Sequence, residues 1–273
     1  MTDSPNDHAD NALGEALIPA AIEAGQAILD VRRRGHMVER KADASPVTEA
    51  DRRAEAIILE ALAKEAPDIP VVAEEAVDAG RIPDVGHSFF LVDPLDGTKE
   101  FVKGNDEFTV NVGLVRDAVP VMGIVYAPAT GTLYFGAESI GAWKASVVDG
   151  ALVERTPIRV RPAPTEILVV ASRSHRTPET DAYIRKFDVK GLVSAGSSLK
   201  FCLVASGEAD LYPRMGPTMQ WDTAAGDAVV RGAGGKVVTM DGTPLPYGPS
   251  DVPGAAAFLN PWFIVSGGIE PIR

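Results

Sequence analysis

The run Phe89-Phe90-Leu91-Val92-Asp93-Pro94-Leu95-Asp96-Gly97-Thr98 constrains this chain more than any other stretch. Its four opening residues are bulky, consecutive and few, the pattern of a buried strand. Asp93 and Asp96 follow across a proline turn, at the carboxyl end of that strand, where open α/β sheets place their ligands. A hard divalent cation prefers carboxylate and carbonyl oxygen, and Asp93, Asp96 and the Leu95 carbonyl offer both within one turn. Gly97 and Thr98 open the next segment, where backbone N–H groups at a helix start can face an anion. Asp-Pro-x-Asp-Gly is also good chemistry for an ordinary surface turn. The rest of the chain has to decide between a metal platform and a plain turn.

Residues 17–34 have helical spacing, with Ala20, Ala24, Ala27, Ile28 and Val31 on one side. Pro19 is then tolerable only in the first turn. A polar loop over 41–47 leads to a second helix with Ala54, Ile57, Ile58, Ala61 and Leu62 on its apolar face. Thr48-x-x-Asp51 at its start resembles a capping box with Asp in place of Glu. Strands are predicted at 71–73, 89–92, 109–115, 122–126, 132–135 and 158–160, separated by Gly, Pro and Asp turns. Beyond residue 162 the strands at 167–171, 191–194, 209–212, 237–239 and 263–265 alternate with helices at 179–187, 198–205 and 223–232. Such alternation predicts a layered α/β fold. A boundary near Arg161-Pro162-Ala163-Pro164 divides the chain into an N-terminal α+β domain, 1–161, and a C-terminal α/β domain, 162–273, with residues 1–12 expected to be disordered.

With 38 acidic against 26 basic residues the formal charge is −12, which opposes polymeric nucleic acid as a partner. A small anionic substrate fits so acidic a chain only where bound cations reverse the local field. Cys202 is the only cysteine, which rules out an internal disulfide and leaves a thiolate metal site without support. No uninterrupted apolar run has the length of a membrane span. The start, Met1 to His8, is polar and acidic, unlike a signal peptide, so a cytoplasmic location is expected.

Three more acidic positions fall at element ends: Glu74-Glu75 after the strand at 71–73, Asp51 in the first turn of the second helix, and Asp222 in Trp221-Asp222-Thr223-Ala224-Ala225-Gly226. Each has an ordinary explanation by itself: solvation for the glutamates, capping for Asp51, and the helix dipole for Asp222. Carboxylates on separate elements, each beside the end of an apolar segment, are harder to explain by accident.

Ala73-Glu74-Glu75, Asp93-Pro94-Leu95-Asp96-Gly97-Thr98 and Trp221-Asp222-Thr223-Ala224-Ala225-Gly226 resemble the signatures of the inositol monophosphatase superfamily of metal-dependent phosphatases. Order and spacing agree from about residue 17 to 265, although Ala73 stands where many members have Ser or Gly. Within the superfamily the chain is most similar to the CysQ-type 3′(2′),5′-bisphosphate nucleotidase branch. The segments carrying that resemblance are Lys41 to Asp51, Thr98-Lys99-Glu100-Phe101, Ser172-Arg173-Ser174-His175, and Gly196-Ser197-Ser198-Leu199-Lys200-Phe201 with Tyr212-Pro213-Arg214.

The resemblance implies a layered α-β-α-β-α sandwich of the sugar-phosphatase type, with two mixed sheets between helix layers. It implies two or three magnesium ions and inhibition by lithium. One ion would be held by Glu74, Asp93 and the Leu95 carbonyl, a second by Asp93, Asp96 and Asp222, and a third would share Glu74. Asp51, Thr98 and Glu74 become the expected catalytic residues. Gly97, Thr98, His175, Ser198, Lys200, Arg214 and Asp222 become the substrate contacts. The implied reaction is hydrolysis of the 3′- or 2′-phosphate of an adenosine bisphosphate to AMP and phosphate, by a monomer or homodimer acting on a small molecule. Lys200 and Arg214 suit the phosphate that is not cleaved, Arg as a bidentate partner and Lys as a point charge. The alternative for both is plain surface decoration of a helix and a loop. An inositol, fructose or histidinol phosphatase of the same superfamily is the nearest rival, and a catalytically silent metal- or nucleotide-binding protein the rival of another class. His175 beside Ser174 is too little for a nucleophile–base pair. Gly232-Ala233-Gly234-Gly235 reads as a helix cap and turn, Trp221 as core, and Cys202 as a buried structural thiol.

Overall fold

The computed structural model of the protein describes residues 5–35, 38–40, 46–171 and 176–272. In chain order the elements are α1 (Pro5–Arg34), β1 (Val38–Arg40), β2 (Pro46–Thr48), α2 (Glu49–Glu65), β3 (Val71–Ala73), α3 (Glu74–Asp78), β4 (Ser88–Asp96) and α4 (Thr98–Val102). They continue with β5 (Thr109–Arg116), β6 (Val119–Ala127), β7 (Thr132–Ala137), β8 (Gly141–Val148) and β9 (Ala151–Ile158). The second half holds β10 (Ile167–Ala171), α5 (Pro178–Ile184), β11 (Val189–Ser194), α6 (Leu199–Ala205), β12 (Leu211–Arg214), α7 (Ala224–Gly232), β13 (Lys236–Thr239) and β14 (Phe263–Ser266).

β3 to β9 form a seven-stranded sheet in sequence order, antiparallel except for the β3–β4 pair. A five-stranded sheet has the order β11-β10-β12-β14-β13, its first three strands parallel. Side-chain alternation sorts the apolar residues into three cores. Phe90, Val92, Val112 and Ile124 face α1 and α2. Phe89, Leu91 and Val125 face the opposite way and share a core with α6, α7, Tyr212, Phe263 and Val265. Val169, Leu211 and Ile264, on the far side of the second sheet, pack on Tyr183 and Ile184 of α5. The result is the α-β-α-β-α sandwich. Phe89 to Val92 form an unbroken apolar run because both faces of their sheet are covered, each fully buried side chain contributing roughly 1.5–3 kcal/mol.

α1 begins at Pro5, which corrects the expectation of disorder for residues 5–12; residues 1–4 lie outside the described residues. Pro19 is therefore inside a helix, not in its first turn. It is exposed, so the Glu15 carbonyl it leaves unbonded lies on the solvent side, while Leu17, Ala21, Ala24, Ile28 and Val31 hold the opposite side in the core. Ala20 lies at the margin of that stripe, half-buried. By length and composition alone α1 between His8 and Arg34 is long and apolar enough to cross a membrane, a property that buried core helices share; half of its most apolar window is buried in the fold.

Of the strand predicted at 158–160, residues 159 and 160 fall outside any strand, and only Ile158 lies in one, as the last residue of the hairpin β8–β9. Asp149 (φ 50°) and Gly150 (φ 77°) make its turn, a two-residue Asp-Gly connection of the kind that matches strand twist.

A second long-range feature positions the site. Gly113, Gly123 and Gly136 lie side by side on β5, β6 and β7. A Cβ on them would sit 2.9 Å from Ala225 N, 2.2 Å from the Ala225 carbonyl oxygen and 2.5 Å from Val229 Cα. This glycine row is the bed in which α7 lies against the sheet. Gly123→Ala is expected to destabilise the fold by about 1–3 kcal/mol, read as a lower urea midpoint. The effect should reach Asp222 as well, since α7 begins two residues after it.

Candidate active site

β3 and β4 are parallel neighbours, with Ala73 opposite Val92. The next residue on each is acidic, so Glu74 and Asp93 emerge side by side at one sheet end. β4 does not stop there. Its pairing with β5 continues from Asp93–Asn111 to Asp96–Thr109 across a bulge. This corrects the expectation that the aspartates leave the strand: they stand on its bulged last residues, and Pro94 occupies the position where the ladder needs no N–H. Gly97, at φ 93°, then turns the chain into α4, and a Cβ there would lie 2.9 Å from the Glu107 carbonyl oxygen.

Each aspartate has one oxygen fixed from within. Asp93 Oδ1 accepts from Leu95 N at 2.9 Å. Asp96 Oδ2 accepts from Ser198 N at 2.6 Å and Ser198 Oγ at 2.8 Å. Asp222, which closes a single 3₁₀ turn before α7, accepts on Oδ2 from Thr218 Oγ1 at 2.9 Å and Met219 N at 3.0 Å. Burial pushes the Asp93 carboxyl well up, and Glu74, Asp96 and Asp222 push it further. Burial and then Asp222 raise Asp96 to about 6, against the pull of Lys200. Asp222 is also raised by burial, and its hydrogen bonds only partly offset this. Buried carboxylates that repel each other this way are a site short of positive charge. The donors are all hard oxygens, which fits a divalent cation such as magnesium. Glu74, Glu75 and Asp78 also place carboxylate oxygens within 4.8 Å of one another. Of those three only Glu74 lines the cleft and Asp78 is exposed, so the aspartate set, with Asp93 buried and Asp96 and Asp222 half-buried, is the better cage.

Glu74, Asp93, Asp96 and Asp222 line a cleft of about 500 Å³ whose lining also includes Leu95, Gly97, Thr98, Lys200, Tyr212 and Arg214. Thr98 Oγ1 lies 3.1 Å from Asp51 Oδ1 and 3.1 Å from the Leu95 carbonyl. The other oxygen of Asp51 completes the capping box of α2, accepting from Thr48 N at 2.7 Å and Thr48 Oγ1 at 2.8 Å. Burial raises the Asp51 pKa despite these donors, which leaves a more basic carboxylate behind Thr98. Lys200, on α6, is only 5% exposed; burial lowers its pKa to about 8, with Asp96 pulling it back up. Its ammonium donates to the Ser197 carbonyl and stands 5.4 Å from the centroid of the Tyr212 ring. Arg214 Nη2 donates to the Pro217 carbonyl at 2.7 Å, while its Nε is buried without a partner.

A sequence model describing the inositol monophosphatase family matches residues 11–264. This chain belongs to that family. The inositol monophosphatase fold recurs in the solved structures it resembles. It is 42% identical to the crystal structure of CysQ from Bacteroides thetaiotaomicron, with a TM-score of 0.77 over 94% of this chain and 97% of that one. An IMPase from Thermotoga maritima is 26% identical, with a TM-score of 0.70 over 92% and 90%. Among curated proteins, the chain is 46% identical to a 3′(2′),5′-bisphosphate nucleotidase CysQ of Salmonella typhimurium over 92% of this chain and 98% of that protein.

As an inositol monophosphatase family member, the chain brings Glu74, Asp93, Leu95, Asp96, Gly97, Thr98, Lys200, Arg214 and Asp222 into one cleft, with Asp51 behind Thr98. One expectation changes, and one alternative falls. Ser198, expected to touch substrate, is 1% exposed; its hydroxyl lies 2.7 Å from the Asp222 carbonyl and accepts from Asn111 Nδ2 at 2.8 Å, so it braces the aspartates. Lys200 is not surface decoration but a buried cation. His175, with Ser172, Arg173 and Ser174, lies outside the described residues, as do Lys41, Asp43 and Ser45 of the second-helix entry. Asn111, Tyr212, Thr218 and Met219 were not anticipated. Asn111 carried a readable signal, a polar side chain inside the apolar run Val110-Asn111-Val112.

Proposed function

We infer that the protein is a metal-dependent phosphomonoesterase that removes the 3′- or 2′-phosphate of adenosine 3′(2′),5′-bisphosphate, giving AMP and phosphate. The observation that carries this reading is a cleft with two opposite charge characters. The carboxylates Glu74, Asp93, Asp96 and Asp222 share its lining with the cations Lys200 and Arg214, and with Lys99. The resemblance to nucleotidases that act on a doubly phosphorylated substrate supports it.

Glu74, Asp93, Asp96, Asp222 and the Leu95 carbonyl would hold two or three magnesium ions, and bound magnesium would supply Lewis acidity that neutralises the phosphoryl oxygens. The chain does the rest. The N–H groups of Gly97 and Thr98 hold phosphate oxygens at the start of α4. The Thr98 hydroxyl, donating to Asp51, takes the proton of the attacking water and passes its own to that carboxylate. Lys200 and Arg214 hold the remaining phosphate. Lithium sensitivity, a cytoplasmic location and a monomeric or dimeric state belong to the same reading.

Phosphate release from adenosine 3′,5′-bisphosphate, with and without magnesium and beside inositol 1-phosphate, tests it. Magnesium-dependent release from the bisphosphate is expected; none, or a preference for the inositol ester, overturns it. Lys200→Ala removes a charge-assisted contact to one phosphate only. It should raise KM for the bisphosphate by roughly tenfold or more and that for adenosine 3′-monophosphate far less. Equal rises in the two KM values would remove Lys200 from the second-phosphate site.

A further inference from the structure

The loop that carries Asp222 is gripped by a residue much later in the chain. We propose that Asn260 is a positioning residue for Asp222: it fixes the 218–223 loop and thereby sets how tightly the cleft holds a divalent cation. This rests on the metal-dependent reading above.

Thr218 and Met219 supply both donors to Asp222 Oδ2, and Asn260 grips each of them. Its backbone N–H donates to the Thr218 carbonyl at 2.9 Å, and its Nδ2 donates to the Met219 carbonyl at 2.8 Å. The same Nδ2 reaches Thr223 Oγ1 at 3.1 Å, on the other side of Asp222. Leu259, just before it, forms a β-bridge with Met219. The loop is thus held on both flanks of its carboxylate by one side chain and the strand entry that carries it.

The unused half of the carboxamide supports this. Asn260 is 5% exposed, and its Oδ1 is buried without a partner. Met219 presents a carbonyl that only accepts, so the nitrogen must face it and the oxygen must face away. A buried polar side chain with an unpaired acceptor is an exception that asks for a reason. The reason here is the donor pair on its nitrogen. Asn260 is not among the cleft-lining residues, so it acts only through the loop. Partners that orient a metal ligand commonly change metal affinity by about 10–100-fold.

The test uses the full chain and magnesium or manganese alone. Asn260→Asp keeps the shape but sets a carboxylate oxygen against the Met219 carbonyl; Asn260→Ala removes the side-chain donors without adding charge. Titration calorimetry without substrate should show cation affinity weakened by roughly 10–100-fold. At saturating cation, kcat should return towards wild type with the nucleotide KM unchanged. A folded variant that binds cation as tightly as wild type overturns the proposal. Unfolding of both variants does too, because it makes Asn260 a purely structural residue. Wild-type protein that binds no divalent cation would overturn the metal-dependent reading itself, a result visible before any variant is made.

Discussion

Asp93→Asn is expected to lower the rate of phosphate release by at least about a thousandfold, a barrier increase of roughly 4 kcal/mol, without unfolding the protein. Asp93 is the centre of the cluster, the carboxylate on which Glu74, Asp96 and Asp222 all press. In the proposed cage it serves two cation positions, so its charge cannot be replaced by a neighbour. The amide oxygen of Asn can still accept from Leu95 N, which preserves the bulged turn. Its NH₂ then offers hydrogen bonds to carboxylates that a charged Asp93 repels. Metal-free stability should therefore not fall and should rise near neutral pH. The sign follows from linkage. Asp93, Asp96 and Asp222 have folded pKa values above their unfolded ones, so the folded state holds its protons longer. Stability from these groups is full below the unfolded value of about 3.9 and is lost as pH climbs through the folded values, about 6 for Asp96. Melting temperatures in chelator between pH 5 and 8 should fall more steeply for wild type than for the variant, and magnesium should restore the wild type. Near-normal turnover by the variant, or equal slopes, would remove Asp93 from the centre of the site.

How much of this was legible in the sequence depends on how local the cause is. β3, β4 and the Asp-Pro-x-Asp-Gly turn were readable because their signals, an apolar run and the residues just after it, are contiguous. The parallel register that sets Glu74 beside Asp93 was not, since pairing between β3 and β4 leaves no local trace. Gly113, Gly123 and Gly136 each look like an isolated glycine in a strand; only their alignment across three strands reveals the bed of α7. The β8–β9 hairpin did carry a local signal that was missed, Asp149-Gly150 set between Val147-Val148 and Ala151-Leu152-Val153. Ser198 was misjudged because a serine beside substrate and a serine braced between Asp96 and Asn111 look the same in one dimension. Lys200 was undecidable for a related reason: burial of a charged side chain follows from what α6 packs on, not from its neighbours in the chain.

Asp51 shows the same limit from the other side, since its capping pattern was readable from neighbouring residues and its second task only through the family resemblance. One oxygen closes the start of α2 and the other receives the Thr98 hydroxyl. This division makes Thr98→Val and Asp51→Asn expected to act as one lesion. Thr98→Val deletes the hydroxyl that takes the proton of the attacking water and keeps the shape. A loss of about 10²–10⁴ in kcat is expected, the range for a missing general base. Asp51→Asn should cost a similar factor for a different reason. Its single oxygen is needed by the two Thr48 donors, so its NH₂ must face Thr98. The Thr98 hydroxyl then becomes an acceptor towards residue 51 and can donate only to the Leu95 carbonyl. A proton arriving at Thr98 would have no base to pass to. Because both changes break the same transfer, the double variant should be little slower than either single one, whereas independent contributions would multiply. Calorimetric cation binding should change little in any of the three, since neither side chain belongs to the proposed cage. Multiplicative losses, or a Thr98→Val enzyme within about threefold of wild type against the 10²–10⁴ expected of a lost base, would take the proton path away from this pair.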